Sequence, residues 1–137
     1  MSRSLLLFIL LSIAAVLAPQ RSVAQAEVKD RVVLALKTGN AKELATHLLP
    51  NVDLTILENS DVYSKAQAEQ ILRKFFDEHE PSDMTIDHEG VSKMGDAYYI
   101  GTLTTARGSF RVTFFLKKSG GAAMVKQLRI EAGKGDL

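Results

Sequence analysis

The chain has 137 residues, 46% hydrophobic and 24% charged, with no cysteine and a net charge of +1. The lack of cysteine excludes disulfides, thiol chemistry and lipid attachment at a cysteine behind a signal. Balanced charge without a clustered basic footprint argues against nucleic-acid binding, and the length allows one domain with one core.

The first residues read as an address. Arg3 gives a positive start, Leu5 to Leu17 are apolar apart from Ser12, and small residues follow Pro19-Gln20-Arg21 at Ser22, Ala24 and Ala26. This is the layout of a secretory signal peptide, residues 1–24, cleaved after Ala24 or Ala26. The apolar run falls short of the ~20 residues of a spanning helix, which sets export above the rival reading of a retained membrane anchor. The expected location is the periplasm or the medium, with no membrane attachment after cleavage. Loss of Arg3 and Arg21 leaves 15 Lys+Arg against 16 Asp+Glu, so the mild basicity belongs to the signal.

Residues 25–132 form the expected domain. Glu27 to Thr38 has Val28, Val32, Ala35 and Leu36 on one helical side, with Gly39 placed to cap it in a left-handed conformation. Asn40 starts a second helix, with Glu43 three residues on, near a capping-box pattern. Leu44, Ala45, Leu48 and Leu49 are its apolar face and Pro50 its stop. Asn51 to Leu57 carries a weak strand signal. The third helix is the clearest. Ser64-Lys65-Ala66-Gln67 is a capping box, and Ala68, Ile71, Leu72, Phe75 and Phe76 follow at helical spacing. Glu69 and Arg73 stand four apart in the favourable order, and Pro81 ends the helix.

From Met84 onward every segment reads as strand, roughly 84–92, 97–106, 109–117 and 123–131, with loops at 93–96, 107–108 and 118–122. Short loops require antiparallel neighbours. Residues 133–137 read as a disordered tail. With Arg107-Gly108 as a two-residue turn, Leu103 pairs with Val112 and Gly101 with Phe114. With 93–96 as the first loop, His88 pairs with Gly101 and Ile86 with Leu103. Both hairpins place Met84, Ile86, His88, Tyr99, Leu103, Phe110, Val112, Phe114 and Leu116 on one face. That face is expected to receive the third helix. The other face collects charged and threonine side chains with Tyr98, Ile100 and Phe115.

This order is that of an α+β protein, three N-terminal helices followed by a bent antiparallel sheet of four to five strands wrapped round the long third helix. It resembles the nuclear transport factor 2-like cone superfamily. Tyr63-Ser64-Lys65-Ala66-Gln67-Ala68, Phe75-Phe76, His88-Glu89-Gly90, Tyr99-Ile100-Gly101 and Phe110-Arg111-Val112 are similar to a family of uncharacterised exported Bacteroidetes proteins, over about residues 27 to 131. The resemblance implies the cone but no activity, because the superfamily hosts enzymes, adaptors and accessory domains alike.

The candidate pocket is His88, Tyr99, Gly101, Phe114 and Lys126. His88 stands on an apolar face opposite a glycine that leaves room, and Tyr99 can offer its hydroxyl to the same space. No histidine has a second at ligand spacing, so neither metal nor cofactor is expected, and no Gly-x-Ser-x-Gly elbow is present. Ile100 and Phe115 are expected to face each other on the outer side, with Tyr98 two residues away and Val125 beside them, an apolar patch suited to a homodimer. Two functions follow. One is a non-catalytic exported domain that binds a small apolar ligand or a protein partner. The other is a small-molecule isomerase or hydrolase with His88 as proton carrier. General acid–base work needs a positioned partner group, and the sequence offers few, which favours the first.

Overall fold

Helix α1 (Arg21–Thr38) stops where its backbone groups find other partners. Gly39 takes φ +65, its N–H bonds to Leu36 O at 3.2 Å, and the N–H of Asn40 reaches Ala35 O at 2.9 Å. This is a Schellman cap, which a left-handed glycine permits. The computed structural model describes residues 21–133. Most of the expected signal peptide (1–20) and of the expected tail (134–137) lies outside the described residues. Val32, Ala35 and Leu36 of α1 are buried, the side that the sequence spacing selected.

Helix α2 (Ala41–Thr46) begins at Asn40, whose Oδ1 accepts from the Glu43 N–H at 3.0 Å. The return half of a capping box is absent, because the Asn40 N–H already serves the α1 cap. Glu43 instead meets His47 Nε2 at 3.1 Å. The helix ends earlier than its apolar pattern suggested. Leu48, Leu49 and Pro50 belong to strand β1 (Leu48–Ile56). Leu48 stands beside Val125, whose N–H donates to His47 O at 2.7 Å. Pro50 falls in the irregular stretch between the Leu48/Val125 and Asp53/Gln127 pairs, where a missing N–H costs little of the ladder.

A further strand, β2 (Asn59–Ser64), pairs antiparallel with β1 after a turn at Leu57-Glu58. It carries no apolar alternation and is largely exposed, so periodicity gave no sign of it. Ser64 then caps α3 (Lys65–Glu78). Its hydroxyl accepts from the Gln67 N–H at 3.2 Å, and Gln67 Oε1 accepts from the Ser64 N–H at 3.1 Å, a complete capping box. Ala68, Leu72, Phe75 and Phe76 are buried as their spacing required. Arg73 reaches Glu69 at 3.0 Å on the exposed side.

Strands β3 (Pro81–Val91), β4 (Ala97–Thr105), β5 (Gly108–Ser119) and β6 (Ala122–Ala132) complete the sheet. Its order is β2-β1-β6-β5-β4-β3, so among the described residues it has six strands, not four to five. The β1–β6 pair is parallel and the other pairs are antiparallel. The inner face is shared by two helices rather than given to the third alone. Helix α1 lies mainly along β3, with contacts to β6 and β4, and α3 lies against β1 and β2. Between sheet and helices sit Leu72, Phe76, Leu103, Val112, Phe114, Leu128 and Ile130.

The hairpin registers differ from the expected ones in two instructive ways. The β4–β5 turn is Ala106-Arg107, not Arg107-Gly108, so Leu103 stands opposite Phe110 and Gly101 opposite Val112. The partner moves by two residues, which leaves every side chain on its expected face. In β3 the pairing instead slips by one between Ile86/Gly101 and His88/Ile100. This is a β-bulge at Asp87, and a one-residue insertion turns the following side chains over.

Candidate functional site

The residues expected to line a pocket do not converge. The Asp87 bulge puts His88 opposite Ile100 on the outer face, where it is exposed. His88 therefore has no apolar pocket in which to carry a proton. Gly101 leaves no room either, because a Cβ there would lie 2.1 Å from Thr85 O and 2.8 Å from Met84 Cε. The glycine lets the bulged β3 backbone come close. Phe114 is fully buried core rather than a lining residue. Lys126 occupies a second bulge, between the Phe115/Gln127 and Leu116/Val125 pairs. Its ammonium sits over the Phe115 ring and bonds the Asp96 carboxylate, so it belongs to the outer face.

Tyr99 does face inward. It is 6% exposed, stacks on Phe114 with centroids 5.0 Å apart, and has Lys29 Nζ 5.8 Å from its ring centre. Burial raises its hydroxyl pKa, and the charges of Glu89 and Asp30 push it the same way. Glu89 stands opposite Tyr99 because the bulge carried it across the sheet.

The outer patch keeps its members but not its pairing. Tyr98 stands opposite Phe115, ring centroids 5.7 Å apart, and Ile100 opposite Thr113. All three apolar side chains are half-buried. Val125 is not among them, since it is fully buried between Leu48 and Leu116 on the inner side.

A cleft of about 380 Å³ opens elsewhere, between α3 and the β1–β2 hairpin. Leu54, Ile56, Ile71 and Phe75 form its apolar walls, with Asn59, Tyr63, Lys74, Glu78 and His79 adding polar groups. The volume lies at the low end of small-molecule sites, about 300–1,000 Å³. Each wall follows from a local rule. Ile71 and Phe75 are one helical turn apart, and Leu54 and Ile56 share one side of a strand. Leu57, at the hairpin tip, holds φ +56, a conformation rare for leucine.

His79 is the residue that sequence reasoning passed over. It caps α3, its N–H donating to Phe75 O at 2.8 Å. Its ring stacks on Phe75 at 4.6 Å and meets Phe110 edge-on at 5.1 Å. The available signal was spacing, since His79 stands one turn beyond Phe75 and extends the buried stripe. Among the described residues no carboxylate bonds to His79, and no three His, Asp or Glu side chains gather as a metal site.

The chain belongs to the family described as Domain of unknown function (DUF4783), whose profile matches residues 29–131. A DUF4783 family protein from Bacteroides fragilis is 35% identical and superposes with a TM-score of 0.70 over 75% of this chain and 96% of its own. A second, from Bacteroides uniformis, is 33% identical with a TM-score of 0.71, over 77% and 96% of the two chains. The protein named Rd1NTF2_04 with long sheet is 19% identical and has a TM-score of 0.62, over 77% and 97%. It shares the fold alone, the nuclear transport factor 2-like cone. No curated protein matches the chain.

Proposed function

We propose that this DUF4783 protein is an exported, non-catalytic domain that holds a small, largely apolar molecule between α3 and the β1–β2 hairpin. The observation that carries the reading is the cleft itself, walled by Leu54, Ile56, Ile71 and Phe75, with Asn59, Tyr63, Lys74, Glu78 and His79 supplying polar groups beside them. An apolar wall with polar groups available to orient a ligand is a recurring feature of small-molecule sites. Catalysis is the weaker reading. General acid–base chemistry needs a partner within hydrogen-bond reach of the proton carrier. His88 faces solvent, and His79 bonds only to a backbone carbonyl among the described residues.

The test is native mass spectrometry of protein purified from its own host, together with an Ile71→Trp variant that fills the cleft. The expected result is a chain lacking residues 1–24 or 1–26, with a small adduct that the variant loses. A full-length chain in the membrane fraction refutes export. An adduct retained by Ile71→Trp refutes the cleft as its seat.

A second reading concerns association. Tyr98, Ile100 and Phe115 form a contiguous apolar strip on the outer sheet face. A two-fold dimer that buries the strip of each subunit against the other is the commonest closed arrangement.

A further inference from the structure

The proposed ligand-binding role of the cleft can be taken to the chemical class of the ligand, an inference that rests on that role. His79 Nδ1 lies 3.1 Å from Phe75 O. A carbonyl only accepts, so Nδ1 carries the hydrogen, and in the neutral ring Nε2 is left as an acceptor. Stacking on Phe75 and the edge contact with Phe110 hold the ring in this orientation. Among the described residues neither Nε2 nor the Tyr63 hydroxyl bonds to another protein group, and since no buried side-chain polar atom lacks a partner, both face solvent and are open to a ligand. The charged groups at the rim, Lys74 and Glu78, are of opposite sign and one helical turn apart. Together they leave the lining with one charge of each sign and no net charge. An imidazole acceptor held in a fixed orientation beside an aromatic wall, with one rim charge of each sign, suits a neutral apolar molecule with a hydroxyl donor.

We propose that the cleft takes a neutral, hydroxyl-bearing apolar compound, an aromatic alcohol or phenol, whose O–H donates to Nε2 of His79. Matched discrimination is the expected consequence. An acceptor that a ligand covers without supplying a donor loses its bond to water and lowers affinity, whereas the apolar contacts are common to both members of a pair.

The experiment titrates the full mature chain with 4-ethylphenol, ethylbenzene and 4-ethylbenzoate in mildly alkaline buffer. It follows the ring nitrogens of His79 by nitrogen-15 NMR. 4-Ethylphenol should bind roughly tenfold more tightly than ethylbenzene, with a shift confined to the Nε2 resonance. His79→Phe should abolish the preference while ethylbenzene affinity stays within about twofold. Tyr63→Phe, which leaves the imidazole in place, should retain it. Equal affinity for 4-ethylphenol and ethylbenzene overturns the hydroxyl assignment but leaves an apolar site standing. Tightest binding of 4-ethylbenzoate overturns the neutral class. If none of the three binds, the cleft reading fails together with the inference. The wild-type comparison decides the matter even if His79→Phe does not fold.

Discussion

Gly101→Ala tests the bulge that separates the expected site from the observed fold. The added methyl would stand 2.1 Å from Thr85 O and 2.8 Å from Met84 Cε. The methionine end can swing aside, but Thr85 O is backbone, fixed within the β3–β4 ladder beside the Asp87 bulge. Relief needs a movement of about 1 Å in one strand, and overpacking of this kind costs about 1–3 kcal/mol, at times more. For a domain of this size that lowers Tm by on the order of 10 °C. Gly90→Ala is the control. The atoms nearest its methyl belong to the Tyr98 ring, 2.6 Å away at the hydroxyl, and a side-chain end can move. Thermal and urea melts of both variants against wild type are the assay. Gly101→Ala should be clearly the less stable. A Gly101→Ala protein as stable as wild type, or less affected than Gly90→Ala, would mean that β3 does not approach β4 as described. His88 would then return to the inner face.

Other outcomes are open to simple measurements. Phe75→Ala should lose about 3–5 kcal/mol, the range for a buried phenylalanine, while Lys74→Ala stays within about 0.5 kcal/mol; equal urea midpoints would contradict the α3 face. The Tyr99 hydroxyl titrates above its ordinary 10.0 because it is buried and near Glu89 and Asp30. A raised folded-state pKa means that this contribution is whole below pH 10.0 and is lost as pH rises through the folded value. Tyr99→Phe should therefore flatten the alkaline limb of the stability–pH curve, and an unchanged limb would exclude Tyr99 as its source. Ile100→Lys should yield a folded monomer from a dimeric wild type by analytical ultracentrifugation, since Ile100 lies on the outer face opposite Thr113. A monomeric wild type at high micromolar concentration would refute the dimer, and an unfolded variant would place Ile100 in the core.

The sequence by itself determined what depends on neighbours within a few residues. The Gly39 cap, the Ser64–Gln67 capping box, the buried stripe of α3 and the inward faces of β4 and β5 all follow from local spacing. The family was legible in short strings such as Tyr99-Ile100-Gly101 for the same reason. Tertiary structure decided the rest, because the deciding partners lie far away in the chain. Leu48 and Leu49 fit a helix by pattern and became strand because β6 lies alongside. Asn59 to Ser64 has no apolar alternation and became a strand because β1 offered an edge. The candidate site depended on such long-range choices throughout. An error of two residues at the Ala106-Arg107 turn changed no face, whereas the single extra residue at Asp87 took His88 out of the cone. A bulge leaves little mark on composition or period, since it is set by how closely two strands must approach at Gly101. The cleft beside His79 arose in the same way, from a hairpin and a helix end that only the folded sheet brings together.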